Sequence, residues 1–231
     1  MTGLRGEARA PPAGSITLAA MTESSQLRRW KGSVGDSYIA RSQPRPDHER
    51  QLMAGWEVLL SHMDPRPGSA LEVGAASGLN LRALKRLGDL DLWAVEPNQQ
   101  ARTILGQEVL EPDHVLDGTL AELPLADGAV ELAYTSGVLI HVPDDELETA
   151  YRELHRVSSR WLVSLEYFAP SCQSISWRGQ DDILFKRDYG SPWLDLFDDV
   201  ELVADGWFWN RTTGLGDLTW WIFQKVEPSG P

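Results

Sequence analysis

An apolar run that ends in a carboxylate and then breaks into small residues is the stretch of this sequence best suited to chemistry: Leu71-Glu72-Val73-Gly74-Ala75-Ala76-Ser77-Gly78. It reads as a buried strand turning into a helix, and side chains this small let a ligand approach the backbone. The spacing differs from the dinucleotide pattern G-x-G-x-x-G. Gly74, Ala76 and Gly78 fall at steps of two, Leu79 follows, and Glu72 sets a carboxylate where a pyrophosphate would lie. A positively charged ligand suits that carboxylate better. Some twenty residues on, Glu96 closes a second apolar run, Leu92-Trp93-Ala94-Val95. A strand-end acid there can accept both hydroxyls of a ribose, or it is simply a solvated carboxylate. His141, in Thr135-Ser136-Gly137-Val138-Leu139-Ile140-His141-Val142, is either a general base or a ring that packs beside the ligand and hydrogen-bonds locally. His48, His62, His114 and His155 show no metal-ligand spacing, so no metal is expected.

The elements that must position these residues follow from periodicity. Leu52, Met53, Trp56, Leu59 and Leu60 recur at helical spacing between Pro46 and His62, and Asp64-Pro65-Arg66-Pro67-Gly68 stops that helix. Predicted strands near 69–73, 92–96, 114–116, 130–134 and 161–167 alternate with predicted helices at 78–87, 99–110 and 144–157. That alternation implies an α/β fold with a parallel sheet covered on both faces. Two further strand-like runs, 200–209 and 217–225, predict an antiparallel hairpin at the sheet's end. Pro97 and Asn98 open the helix after Glu96.

The strand-to-helix turn resembles motif I of the class I S-adenosyl-L-methionine (SAM) methyltransferases, with Ala76 in place of the middle glycine. The resemblance implies a Rossmann-like fold with a mostly parallel seven-stranded sheet. It also implies SAM bound at the strands' carboxyl ends, S-adenosyl-L-homocysteine (SAH) as product, and contacts from Glu72, Gly74, Ala75, Gly78, Glu96 and Pro97. Asp117-Gly118-Thr119-Leu120 resembles the segment beside the adenine, with Thr119 where the family often has an acid. Adenine N6 is then met by Thr119, by Asp117, or by backbone at Leu120. Ser136, Gly137 and His141 fall where the family places residues between the methyl group and its acceptor. A narrower resemblance covers about 27–225. Arg29-Trp30-Lys31-Gly32-Ser33-Val34-Gly35-Asp36-Ser37-Tyr38-Ile39-Ala40-Arg41, Gly137-Val138-Leu139-Ile140-His141, the run 151–160, Glu166-Tyr167, the run 177–189 and Thr219-Trp220-Trp221 are similar to the methylase family associated with pseudaminic acid biosynthesis.

Within these strings, Tyr38 and Arg41 either cover the SAM carboxylate or form a surface capping pair. Glu166 and Tyr167 are candidates for the acceptor side. Arg178, Asp181, Asp182, Lys186, Arg187, Asp188 and Tyr189 line a substrate pocket or form a charged surface loop. Tryptophan is in excess, with 10 in the chain, and Trp177, Trp193, Trp207, Trp209, Trp220 and Trp221 all fall in the last third. Aromatic walls suit a flat acceptor, although alternation on the terminal hairpin sends part of this set into the core.

With 231 residues and 42% hydrophobic content, one sizeable domain over 21–231 is expected, with a loop insert at about 169–198 over the acceptor site. Residues 1–20 read as a disordered extension, which leaves Met1 and Met21 as alternative starts. A formal net charge of −13 argues against nucleic acid or an anionic membrane as partner. The single Cys172 excludes an internal disulfide and fits a reducing, cytoplasmic compartment. The expected function is SAM-dependent methyl transfer to a small-molecule acceptor in natural-product or modified-sugar biosynthesis. The alternatives are base-assisted cyclisation or rearrangement of a SAM-derived intermediate, and a non-catalytic SAM-binding subunit. The oligomeric state is open.

Overall fold

The computed structural model describes residues 24–177 and 179–227. The expected extension at 1–20, Met21 and Arg178 lie outside the described residues. Two short helices, α1 (Ser25–Lys31) and α2 (Ser33–Arg41), lead into α3 (Pro46–Ser61). Then come β1 (Ser69–Val73), α4 (Leu79–Leu87), β2 (Asp91–Val95), α5 (Gln99–Glu108), β3 (Val115–Leu116), β4 (Val130–Ser136), α6 (Asp144–Val157) and β5 (Ser158–Glu166). The remaining elements are β6 (Gln173–Trp177), β7 (Gln180–Lys186), α7 (Ser191–Leu196), β8 (Val200–Phe208), α8 (Asn210–Thr213) and β9 (Leu218–Lys225).

Seven strands form one sheet in the order β3-β2-β1-β4-β5-β9-β8. The first five pair in parallel, while β9 runs antiparallel to both β5 and β8. Parallel strands covered by helices on both faces must be apolar along nearly their whole length, and β1 is buried at every position after Ser69. One core, containing Trp56, Leu59, Leu81, Leu84 and Tyr134, packs on one face. The other, containing Leu71, Tyr151, Leu154 and Trp193, packs on the opposite face. Trp220 and Trp221 fall into different cores, as alternation requires, and Trp207 and Trp209 share an exposed face. No helix among the described residues is long and apolar enough to cross a membrane.

Strand order reverses at β1 and β4, which opens a crevice beyond their carboxyl ends, the usual place for a ligand in open α/β sheets. Two features around that crevice differ from the sequence reading. Residues 169–198 are not an irregular insert: they contain the separate β6–β7 hairpin and α7. The N-terminal segment folds into α1 and α2, whose few turns carried too little apolar periodicity to be recognised.

Candidate functional site

A cavity of about 450 Å³ occupies the crevice, walled by the β1–α4 turn, the ends of β2 and β4, helices α1 and α2, and the β6–β7 hairpin. Its floor is the small-residue turn. Gly74 sits at φ +77°, and a Cβ there would lie 2.7 Å from Val138 Cγ2, so glycine is needed both for conformation and for space. Ala76 adopts φ 47°, a left-handed conformation costly for a residue with a Cβ, and its N–H donates to Glu96 Oε2 at 2.8 Å. Gly78 serves packing instead: it starts α4 in a left-handed conformation against Leu105 and does not line the cavity.

Glu72 and Glu96 both line the cavity and are both buried. Asn80 Nδ2 donates to Glu72 Oε1 at 2.7 Å, and Trp56 Nε1 holds Asn80 Oδ1 at 3.1 Å, while the Tyr134 hydroxyl lies beside the same carboxyl group. Burial pushes the Glu72 carboxyl up to about 8 despite the Asn80 hydrogen bond. Glu96 accepts from the N–H groups of Ala76 and Asn98, each at 2.8 Å, and burial raises its pKa as well. Pro97 follows it in the wall. The segment after β3 contributes Gly118, Thr119 and Leu120, but Asp117 is outside the wall, paired at 2.9 Å with Arg102. Arg41 is likewise exposed and away from the cavity; Ser42 takes its place, its carbonyl accepting from Ser77 Oγ at 2.8 Å.

At the far side stand Ser136, Gly137, His141 and Tyr167. His141 Nδ1 donates to the Ile183 carbonyl of β7 at 2.6 Å, which leaves Nε2 with its lone pair. Burial lowers its pKa to about 4, so the ring is neutral around pH 7. Trp30 lies 4.5 Å from it, centroid to centroid, and Trp177 6.3 Å. Tyr38 meets Trp30 edge-on at 5.7 Å, which makes one aromatic wall from three separate elements.

Glu166 is not in that wall. Fully buried, its carboxylate accepts from Thr135 Oγ1 at 2.9 Å and from the backbone N–H groups of Val138, Leu139 and Ile140 at 3.2, 3.1 and 3.4 Å. Its oxygens are spent on the turn that carries His141, so they cannot serve an acceptor in the cavity. Burial nevertheless pushes its pKa up to about 7.

Among the charged candidates at the hairpin, none with a described side chain lines the cavity. Lys186 lies over Tyr167, Arg187 pairs with Asp144, Asp188 holds the turn at Ser191, Tyr189 is in the core and Asp181 is exposed. Arg178 and the Asp182 side chain lie outside the described set. The hairpin gives the cavity Trp177 and Leu184 instead.

Sequence reasoning missed Trp30, Asn80 and Asn98 as parts of the site. Asn80 was readable in principle, because a polar residue in the first turn of a helix that follows a small-residue turn lies beside the site the turn opens.

The titrations have a stability consequence. Glu72 and Glu166 keep their protons in the fold to about 8 and about 7, whereas an unfolded glutamate loses its proton near 4.5. Between pH 6.5 and 8 the native state therefore binds more protons than the unfolded one, and stability falls as pH rises. His141 acts in the other direction, fading as pH rises through 6.5, where the two carboxyls outweigh it. The ligand-free protein is expected to show a lower urea midpoint at pH 8 than at 6.5, with a flatter dependence in Glu72→Gln.

Residues 71–160 match the methyltransferase domain family, and the fold is the Rossmann-like one of solved SAM-dependent methyltransferases. The chain thus carries a methyltransferase domain. No curated protein sequence matches it. Among solved structures it is similar to the 1,6-didemethyltoxoflavin-N1-methyltransferase of Burkholderia thailandensis with bound 1,6-didemethyltoxoflavin and SAH. There the identity is 16%, coverage 95% of this chain and 94% of the other, and the TM-score 0.64. It is also similar to the magnesium protoporphyrin IX methyltransferase of Synechocystis PCC 6803 with bound SAM, at 12% identity, 89% and 99% coverage and a TM-score of 0.62.

Proposed function

We propose that the protein transfers the methyl group of SAM to a small, flat acceptor, in natural-product or modified-sugar biosynthesis. The observation that carries this reading is the continuity of the cavity. The acid-lined floor at Glu72 and Glu96 opens directly onto the aromatic wall of Trp30, Tyr38 and Trp177 around His141. In this reading Glu96 accepts the ribose hydroxyls, the Glu72 carboxyl faces the methionine ammonium, and Thr119 and Leu120 border the adenine. The methyltransferases of similar fold that act on toxoflavin precursors and porphyrins have planar acceptors, which fits a wall of this kind. The longer strings shared with the pseudaminic-acid-associated methylases support the narrower kinship, and an exposed free Cys172 fits a cytoplasmic setting. We read 21–231 as a single domain, with the β6–β7 hairpin covering the acceptor side.

The sulfonium supplies the leaving group, so the chain's task is to bring acceptor and methyl into line and exclude water. His141 Nε2 is the group able to take the acceptor's proton. Because its pKa is about 4, forming the imidazolium is costly, which favours acceptors whose proton leaves late or is already acidic. His141→Ala is expected to lower turnover about 10- to 100-fold while SAH affinity stays within about threefold. Equal losses in both would remove His141 as the base. Product mass tests the reaction itself. A gain of one methylene unit in an acceptor supplied from a cell extract supports methyl transfer, whereas turnover without a mass gain supports cyclisation.

A further inference from the structure

Asn98 is 2% exposed and makes more connections than a helix cap requires. Its Oδ1 accepts from Ala101 N–H at 3.0 Å, which caps α5. Its backbone N–H donates to Glu96 Oε1. Its Nδ2 is left to face the N-terminal helices, with the carbonyls of Trp30 and Lys31 at 3.2 and 3.3 Å and Asp36 Oδ1 at 2.9 Å. Gly35 lets the backbone come this close: a Cβ there would stand 1.9 Å from the Trp30 carbonyl oxygen and 2.8 Å from Asn98 Nδ2.

Helices of seven and nine residues have little stability of their own, so α1 and α2 stay in place only by docking. Their loop to α3 is held to the cofactor turn by the Ser77 hydroxyl on the Ser42 carbonyl. Through Trp30 these helices form the roof of the cavity beside His141.

We infer that Asn98 is a positioning residue that couples the cofactor seat at Glu96 to the docking of this roof, so that cofactor binding completes the acceptor wall at Trp30. The inference rests on the cofactor reading above. Coupling is reciprocal: a ligand that fixes Glu96 and Asn98 stabilises the docked roof, and the docked roof strengthens the ligand.

Asn98→Asp separates the two roles of the side chain. An aspartate still caps α5, but it presents a carboxylate to two carbonyls and to Asp36, so the roof is repelled while the helix is kept. The experiment is trypsin cleavage at the exposed Arg28, Arg29 and Lys31 of α1, with and without SAH, alongside calorimetric titration of SAH. In the wild type, SAH is expected to slow cleavage there about tenfold. In Asn98→Asp the protection is lost, and SAH binds about tenfold more weakly, while a single cooperative thermal transition shows that the sheet core stays folded. Gly35→Ala, which displaces the roof through the Trp30 carbonyl while the Asn98 cap of α5 is kept, is expected to behave in the same way. Equal protection by SAH in the wild type and both variants overturns the coupling and leaves the cofactor reading standing. No SAH binding in the wild type overturns both.

Discussion

Replacing Glu166 by alanine is expected to destabilise the protein by about 3–5 kcal/mol, read as a fall in the urea midpoint at unchanged slope. The carboxylate sits fully buried under the turn after β4 and satisfies one hydroxyl and three backbone N–H groups at once. Alanine leaves all four donors without an acceptor, and water reaches them only if the turn opens. Glu166→Gln retains one oxygen for Thr135, Val138 and Leu139 and loses mainly the longer bond from Ile140, so its expected cost is about 1–2 kcal/mol. The turn carries His141 and Val138, the residue that packs over Gly74, so Glu166→Ala loses activity along with stability. A variant as stable as the wild type would show that Glu166 does not hold this turn.

Replacing Glu96 by alanine is expected to weaken SAH binding about 100-fold by calorimetry. Two contributions combine. In the proposed reading the carboxylate accepts the ribose hydroxyls, and it fixes the N–H groups of Ala76 and Asn98, which set the small-residue turn and the start of α5. Ala76 in particular keeps its left-handed conformation with that hydrogen bond in place, so alanine at 96 also loosens the floor of the cavity. A loss below about threefold would move the ribose elsewhere.

Much of the framework was legible because its signals are local. The β1 run, the small-residue turn, the Glu96 strand end and the amphipathic α6 all obey short-range periodicity, and each element lies within a few residues of its predicted position. What was not legible depends on partners far apart in the chain. Glu166 ends a strand, as expected, yet donors 26–31 residues earlier take up its oxygens and turn it from a candidate base into a support. Asp117 and Glu96 look equivalent in sequence; Arg102 draws the first outward, while backbone N–H groups hold the second in. Arg41 lies on the right helix but on its exposed side. The tryptophan excess pointed to the last third of the chain, where only Trp177 reaches the cavity among the described residues. The decisive ring, Trp30, comes from the first helix.

The central claim is that the crevice between β1 and β4 binds SAM and not a dinucleotide. Calorimetric titration of the wild-type protein with SAH, in parallel with NAD, tests it most directly. The account predicts SAH binding at one site per chain with a dissociation constant in the micromolar range, abolished in Gly74→Val, and no heat from NAD. Saturable NAD binding with no response to SAH would contradict it.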